Sequence, residues 1–296
     1  MSARPSWVDG RIVPAGEPAL RAEDQGFQLG LAVYDGMLLE RGCRSFEAQH
    51  IARLGRAARA LDIAWPLRIP LERALDEYTA VLGEEGPLLL RTTLSRGVGG
   101  EATMVISARD VDPWPEEGIR VCVAECAKVS ASELEQLKST NRLRNVLARE
   151  AAQEVGAWEA LLTTEEGEFT EGTISNLFCI TGGELVTPPV ARGLLPGIVR
   201  GELLAELGER GEPFVERRLD PLDLECSSEV FLTNTSGRLI PVLGVLGVVD
   251  GLPGAAGERW LHLSELFRER EDRDRAAWEA RRQGQGVSPS APGGLE

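Results

Sequence analysis

Lysine and histidine are almost absent from this sequence, and positive charge is in the minority. Of the 32 basic residues only two are lysine, Lys128 and Lys138, and the only histidines are His50 and His262. A mechanism that needs a lysine nucleophile therefore has two candidates, and a site built on a cluster of histidines has none. With 47 acidic residues the formal net charge is −15, which argues against nucleic acid or an anionic membrane as the main partner.

Long apolar runs and paired cysteine motifs are also missing. The longest apolar run, Leu239 to Val249, is eleven residues interrupted by proline and glycine, well short of the roughly 20 residues of a membrane span. The N-terminal stretch lacks the apolar core of a signal peptide. Five cysteines are scattered along the chain, and Cys122 and Cys126 lack the spacing and the further ligands that are usual at zinc sites. We therefore expect a cytoplasmic protein with small buried cysteines, no metal site and no membrane partner.

The sequence does contain alternating strand and helix patterns. Its 43% apolar residues can form one large domain or two moderate ones. Apolar residues at Ile51, Leu54, Ala58 and Leu61 predict a helix over residues 48–62. We predict an α/β (α+β) fold with a smaller domain at 1–110, a linker at 111–117, a larger domain at 118–268 and a charged, disordered tail at 269–296. Further helices are predicted at 71–82, 141–155, 197–210 and 257–270, and strands at 159–164 and 184–187.

A motif around Lys138 carries the chemistry. Composition alone favours an exposed, inert lysine, but a lysine amine can form a Schiff base with an aldehyde cofactor, which an arginine cannot. Lys138 opens the segment Lys-Ser-Thr-Asn, which leads into a predicted helix. Further along the chain stands Glu-Gly-Thr-Ile-Ser-Asn-Leu-Phe, which begins at Glu171 and includes Asn176. Either half alone would be a weak signal, whereas the two in this order are specific.

The combined pattern resembles the class IV (fold-type IV) pyridoxal-phosphate-dependent aminotransferase family, which includes branched-chain and D-amino acid aminotransferases and aminodeoxychorismate lyase. The resemblance covers roughly residues 5–268. It implies a two-domain homodimer with its active site in the inter-domain cleft and pyridoxal 5'-phosphate as cofactor. In that arrangement Lys138 would hold the cofactor as an aldimine and then move a proton on the substrate. Glu171 would keep the ring nitrogen protonated, which makes the ring a better electron sink.

The same resemblance implies the phosphate site. The turn before the predicted helix at 197–210 looks like the family's phosphate turn. Gly197 would let the backbone approach, and the next two N–H groups would bind phosphate at the helix start. Thr235 matches a phosphate-binding hydroxyl, and Arg53, in a His-x-x-Arg-Leu segment, matches an arginine that bonds the phosphate. His50 in that segment is expected to be structural. The implied cofactor-binding residues are Arg53, Lys138, Glu171, Asn176, Gly197, Ile198, Val199 and Thr235.

The substrate residues implied by the resemblance are Tyr34, Gly36, Arg91 and Ser236. Gly36 follows Asp35, which is closer to the Phe-Glu-Gly of branched-chain enzymes than to the Thr-Thr of the lyases. An inward arginine at 91 would need an anionic partner such as a substrate carboxylate. The segment Ser95-Arg96-Gly97-x-Gly-Gly is lyase-like, however, and Leu38 replaces an arginine of the branched-chain enzymes.

We therefore predict an aminotransferase that moves an amino group between an amino acid, or an amine, and a 2-oxo acid. One alternative is aminodeoxychorismate lyase, which eliminates pyruvate, and a second is a non-catalytic protein that binds pyridoxal phosphate. The run from Gly97 to Gly100 is not a dinucleotide-binding fingerprint. A Ser-His-Asp hydrolase is excluded because no Gly-x-Ser-x-Gly elbow is present.

Overall fold

The chain forms two compact units. The computed structural model describes residues 4–65, 70–83 and 86–284. Unit 1 contains the described residues up to Val111 together with those from Glu271 onward, and unit 2 is Asp112–Arg270. The architecture is a mixed α/β fold in which each unit has its own sheet.

Unit 1 is built on an antiparallel sheet of six strands in the order β2-β1-β6-β5-β3-β4. The two long central strands, β3 and β5, pair so that Gly36 lies opposite Arg91. Core residues alternate with half-exposed ones along β5, where Leu90 and Leu94 are fully buried, as expected for a sheet with one covered face. The strands are β1 (Ser6–Val8), β2 (Arg11–Val13), β3 (Ala32–Glu40), β4 (Cys43–Arg44), β5 (Leu88–Val98) and β6 (Glu101–Asp110).

Three helices accompany this sheet: α1 (Gln25–Leu29), α2 (Glu47–Ala60) and α3 (Leu71–Leu82). Helix α3 has the predicted bounds. Compared with the predicted helix at 48–62, α2 begins one residue earlier and ends two residues earlier. Helix α2 contacts β3 and α3 contacts β1. Leu54 of α2 belongs to the apolar stripe that predicted this helix, and both Leu54 and Leu75 of α3 are buried.

Unit 2 contains nine strands, six of which close into a ring. The main path is β12-β11-β10-β13-β14-β7-β8-β9, and β9 pairs again with β10. The closing register pair is Glu171 of β9 opposite Asn176 of β10, so the predicted motif lies at the closure. The strands are β7 (Ile119–Lys128), β8 (Glu159–Thr164), β9 (Phe169–Gly172), β10 (Asn176–Thr181), β11 (Glu184–Thr187), β12 (Val215–Glu216), β13 (Ser227–Asn234), β14 (Arg238–Val245) and β15 (Val249–Asp250).

The helices of unit 2 pack on these strands. Helix α4 (Leu143–Glu154) contacts β7 and β8, α5 (Ile198–Arg210) contacts β13, and α6 (Pro221–Glu225) contacts β10 and β13. The core includes Leu161, Leu177 and Leu232, which are completely buried. Among the described residues, no helix is both long and apolar enough to cross a membrane.

The last helix is longer than predicted. Helix α7 spans Glu258–Gly284, whereas the sequence predicted a helix ending near Arg270 and a disordered tail from residue 269. Within unit 1, the indole of buried Trp278 donates to Glu47 at 2.8 Å, and Asp274 accepts a hydrogen bond from the N–H of Phe46. These contacts hold the second half of α7, so the prediction was wrong for residues 269–284. The remainder of the predicted tail, 285–296, lies outside the described residues.

Candidate active site

The carboxylate of Glu171 is buried at the centre of the site in unit 2. Only 4% of the residue is exposed. Its Oε1 accepts a hydrogen bond from Lys128 Nζ at 2.5 Å, and its Oε2 accepts one from the N–H of Leu195 at 3.0 Å and one from the Asn176 amide at 3.3 Å. Three donors therefore hold this buried side chain in place.

Asn176 joins Glu171 to the turn that precedes α5. Its side-chain amide also donates to the carbonyl of Leu195 at 2.9 Å. A Cβ on Gly197 would lie 1.9 Å from Asn176 Oδ1, so only glycine fits. The φ of Gly197 is −65°, an angle that any residue adopts. The contact with Asn176 is therefore one physical reason for glycine at this position, and the approach of the backbone to phosphate stays a prediction.

The start of α5 has the properties of an anion site. Gly197 is its N-cap residue and its first turn receives no side-chain cap hydrogen bond, while Ile198 and Val199 are buried. The N–H groups of a first helical turn have no partner inside the helix, and the helix dipole favours negative charge there. The structure thus places the uncapped start of α5 next to the turn that Glu171 and Asn176 hold.

Lys138 lies in irregular chain between a short 3₁₀ helix and α4, and it is half-buried. The chain just after it is anchored to the Glu171 segment. Arg142 Nη2 and Asn145 Nδ2 donate to the carbonyl of Thr173 at 2.6 and 2.8 Å. The Lys138 segment is therefore tied to a residue two positions beyond Glu171.

Lys128 is not among the site residues that the sequence predicted, yet it is 3% exposed and contacts Glu171 directly. Its Nζ also lies 3.5 Å from Glu135, which in turn pairs with Arg144 at 2.6 Å. A signal was present, because a lysine at the end of an apolar strand needs an acidic partner when buried. The sequence did not say which acid that would be.

In unit 1, Arg53 is paired with Asp35. Its Nε and Nη2 donate to the two carboxylate oxygens at 2.7 Å each, and His50 Nδ1 lies 2.7 Å from Asp35 Oδ1. Burial by itself raises the pKa of Asp35, but the charges and hydrogen bonds of Arg53 and His50 outweigh it and lower the pKa well below its usual 3.8. From the sequence, Asp35 was only the neighbour of Gly36, and its pairing with Arg53 and His50 was not predicted.

The three residues predicted to line the substrate pocket in unit 1 share one face of the sheet. Tyr34 and Gly36 are two positions apart on β3, and Arg91 lies opposite Gly36 on β5. The Arg91 guanidinium is stacked 3.6 Å from the centroid of the Tyr34 ring, and its Nε donates to Thr93 Oγ1 at 3.2 Å. Arg91 is exposed in this structure. Arg91 is therefore not the buried, inward arginine that the sequence suggested, and the ring of Tyr34 is one of its partners.

Thr235 and Ser236 lie in the turn between β13 and β14, and both are half-buried. Ser236 Oγ accepts a hydrogen bond from Trp114 Nε1 at 3.3 Å and donates one to Asn234 Oδ1 at 3.2 Å. Just before this turn, Thr233 is opposite Asn176 in the sheet. Its buried Oγ1 has no hydrogen-bond partner in the part of the chain that the structure describes. An orphaned buried hydroxyl beside Asn176 indicates that the site is completed by a further polar group.

The lyase-like glycines form a hairpin. Gly99 and Gly100 connect β5 to β6, and the register shifts between Ser95 and Val98 at the end of β5. Gly97 has a φ of +69°, and a Cβ there would lie 1.7 Å from the carbonyl oxygen of Glu101. Glycine is therefore required by the hairpin backbone itself. The segment connects two antiparallel strands, which also agrees with the exclusion of a dinucleotide-binding loop.

Comparisons with known proteins agree with this architecture. Residues 32–245 match the family model for amino-transferase class IV. The chain is 30% identical over 276 residues to a putative branched-chain-amino-acid aminotransferase of Methanocaldococcus jannaschii, covering 89% of this chain and 95% of that protein. It superposes on the branched-chain aminotransferase of Thermoproteus uzoniensis with a TM-score of 0.83 at 24% identity, covering 94% and 98% of the two chains. A putative 4-amino-4-deoxychorismate lyase of Legionella pneumophila gives a TM-score of 0.79 at 26% identity, covering 86% and 97%.

The family match spans more than half of the chain, and both solved structures share its mixed α/β architecture. The chain therefore belongs to the class IV aminotransferase family and has the fold-type IV architecture of these enzymes.

Proposed function

We propose that this protein is a pyridoxal-phosphate-dependent aminotransferase that moves an amino group between an amino acid, or an amine, and a 2-oxo acid. The observation that carries the proposal is the connection of Glu171 to the start of α5 through Asn176 and Leu195. Pyridoxal phosphate carries a ring nitrogen and, at a separate ring position, a phosphate, and it needs an acidic partner for the nitrogen and N–H donors for the phosphate. Both partners occur together here.

The residues present fit this cofactor. Glu171 is the acceptor for the ring nitrogen, and the N–H groups of Ile198 and Val199, with the Thr235 hydroxyl, are donors for the phosphate. The orphaned hydroxyl of Thr233 and the uncapped first turn of α5 are the groups that a bound anion or ring would satisfy. Arg53 is proposed as a further phosphate ligand, held in its orientation by Asp35.

When bound, the cofactor supplies an aldehyde for a primary amine and an electron-withdrawing ring that stabilises negative charge on the substrate carbon. Lys138 is the amine that we assign to this bond and, once released, to moving a proton at that carbon. Lys128 has a different role, because its ammonium is paired with Glu171. That pairing holds the carboxylate in place where we assign it to the ring nitrogen.

For substrate binding we propose Tyr34, Gly36, Arg91 and Ser236. Arg91 already lies over an aromatic ring and keeps its charge at every physiological pH, so it can receive a substrate carboxylate. The similarity to the putative branched-chain-amino-acid aminotransferase of Methanocaldococcus jannaschii supports branched-chain amino acids as candidate substrates of this protein.

Borohydride reduction tests the assignment of Lys138. It makes the lysine–cofactor bond permanent, and peptide mass spectrometry then locates the adduct. We expect the adduct on Lys138 in the wild type and in Lys128→Arg, and none in Lys138→Ala. An adduct on Lys128 would overturn the assignment and give Lys128 the role of the nucleophile.

The lyase is the second candidate, supported by the Ser95–Gly100 segment and by the likeness to the Legionella pneumophila protein. A half-reaction screen over L-amino acids, D-amino acids, amines and aminodeoxychorismate distinguishes the two. Conversion of the cofactor to its amine form by amino acids supports the aminotransferase. Release of pyruvate from aminodeoxychorismate without that conversion supports the lyase. A spectrum of bound cofactor without either reaction would indicate a non-catalytic binding protein.

We also propose that the protein is a homodimer, which rests on an apolar stripe of α4. Leu143, Val146 and Leu147, spaced i, i+3 and i+4, are all exposed. Light scattering should show a dimer for the wild type and a monomer for Val146→Glu combined with Leu147→Glu. Leu222→Glu, at an exposed leucine of α6, is the control and should remain dimeric.

A further inference from the structure

A second buried carboxylate lies behind the site. Glu159, the first residue of β8, is completely buried, and it was not among the predicted site residues. Its Oε1 accepts hydrogen bonds from the N–H groups of Ala160 and Thr173, at 3.0 Å each, and from the Thr173 hydroxyl. Its Oε2 accepts from the N–H of Ile174 at 3.2 Å and from Ser175 Oγ at 3.1 Å. All five donors are N–H groups or hydroxyls.

Four of these donors belong to one turn. Residues 173–175 connect β9 to β10, and so separate Glu171 from Asn176. The turn is tight: a Cβ on Gly172 would lie 2.2 Å from Ser175 Oγ and 3.1 Å from the carboxyl carbon of Glu159. The position of Glu171 relative to Asn176 therefore depends on how Glu159 holds the turn.

The turn also anchors the Lys138 segment. The carbonyl of Thr173 accepts the hydrogen bonds of Arg142 and Asn145, at the start of α4. Thr173 is thus bonded to Glu159 through its N–H and hydroxyl, and to the chain after Lys138 through its carbonyl. One residue links the two segments that carry the proposed ring partner and the proposed nucleophile.

We propose that Glu159 is a positioning residue for the cofactor site. By fixing the 173–175 turn it sets the spacing between the carboxylate of Glu171 and the amine of Lys138, without itself touching the cofactor. This inference rests on the proposed function, because the spacing matters only if one cofactor contacts both groups.

Cofactor binding and its spectrum test the proposal. Glu159→Gln keeps the side chain's shape but replaces one acceptor oxygen with a donor, which leaves a buried N–H of the turn unpaired. We expect the dissociation constant for pyridoxal phosphate, measured by spectral titration of the apoprotein, to rise about tenfold, the ratio that corresponds to losing about one buried hydrogen bond. The pH at which the absorption band of the bound cofactor changes should also shift, because Lys138 and Glu171 no longer keep their spacing.

Two weaker variants cover the case in which Glu159→Gln does not fold. Thr173→Val and Ser175→Ala each remove one hydroxyl donor, and each should shift the band and the affinity in the same direction by a smaller amount. Thr173→Ser keeps the hydroxyl and should behave as the wild type. Thr170→Val is the matched control, because Thr170 is equally buried on β9, next to Glu171, but donates to the carbonyl of Leu162 and not to Glu159.

Thr170→Val should lower the melting temperature while leaving the affinity and the band unchanged. If Glu159→Gln, Thr173→Val and Ser175→Ala bind the cofactor with wild-type affinity and an unshifted band, Glu159 is structural only and the proposal is overturned. A wild-type protein that shows no cofactor band would instead refute the proposed function, and this inference with it.

Discussion

The ammonium of Lys128 lies 2.5 Å from the carboxylate of Glu171, and both side chains are buried. The pair connects the end of β7 with β9, two strands that are not neighbours in the sheet order. It gives the two lysines of the chain different environments, since Lys128 is enclosed with its partner and Lys138 is half-buried in irregular chain.

Removing the Lys128 charge should destabilise the protein strongly. Lys128→Met leaves the Glu171 carboxyl group buried without its cationic partner, which costs about 3–5 kcal/mol of the free energy of unfolding. Lys128→Arg should lose less, because it keeps the charge. Adding Glu171→Gln to Lys128→Met should restore part of the loss, since both charges are then absent. Urea denaturation of the apoprotein measures all four species, and a wild-type midpoint for Lys128→Met would refute the role of the pair.

Alanine substitutions at two glycines near the start of α5 should have opposite effects on the stability of the protein. Gly197→Ala would place a Cβ 1.9 Å from Asn176 Oδ1, which displaces the amide that joins Glu171 to Leu195. We expect a loss of about 1–3 kcal/mol in stability and weaker binding of pyridoxal phosphate. Gly201→Ala is the matched control on the same helix, where a Cβ meets no atom within 4 Å. It should be neutral or stabilise by up to about 1 kcal/mol, and similar effects from both variants would contradict the explanation.

The Asp35–Arg53 pair predicts a pH dependence of stability. Because the pKa of Asp35 in the folded protein is lowered below its ordinary 3.8, its contribution is complete above that value and is lost as the pH falls below it. Asp35→Asn should therefore cost about 3–5 kcal/mol at pH 7, and the difference from the wild type should shrink as the pH falls from about 5 towards 2.

Urea denaturation at neutral and acidic pH measures this difference. Asp62→Asn is the control, because Asp62 is almost fully exposed and only 3.4 Å from Arg96. An exposed pair of this kind contributes about 0–1 kcal/mol. A difference between Asp35→Asn and the wild type that stays constant down to pH 2 would show that the Asp35 charge is not responsible.

The second half of α7 should contribute to the stability of unit 1. Trp278→Phe loses the 2.8 Å hydrogen bond to Glu47 and should cost about 1–3 kcal/mol, since the acceptor is buried. Trp278→Ala should cost about 3–5 kcal/mol. Glu279→Ala, at the exposed neighbouring position, should stay within about 0.5 kcal/mol of the wild type. Urea denaturation measures these differences. Equal urea midpoints for Trp278→Ala and Glu279→Ala would mean that the second half of α7 does not stabilise unit 1.

The local elements could be read from the sequence because their signals are local. The sequence predicted a helix at Leu71–Leu82 and a strand at Glu159–Thr164, and α3 and β8 have these bounds in the structure. The order and spacing of the Lys138 and Glu171 segments, together with the turn before α5, indicated the family that the comparisons show. None of these inferences depended on which strands lie side by side.

The tertiary structure decided the partners of the charged groups. Lys128 meets Glu171 across 43 positions of sequence, and Arg53 meets Asp35 across 18. Helix α7 continues beyond Arg270, where Trp278 donates a hydrogen bond to Glu47, 231 positions away in the sequence. Hydrophobic periodicity records only which face of an element is buried, whereas the partner of a buried charge follows from sheet order and register, which bring together residues distant in sequence. The sequence by itself therefore determined which reactive side chains this protein has, and the closure of the sheet at Glu171 and Asn176 decided which of them lie together.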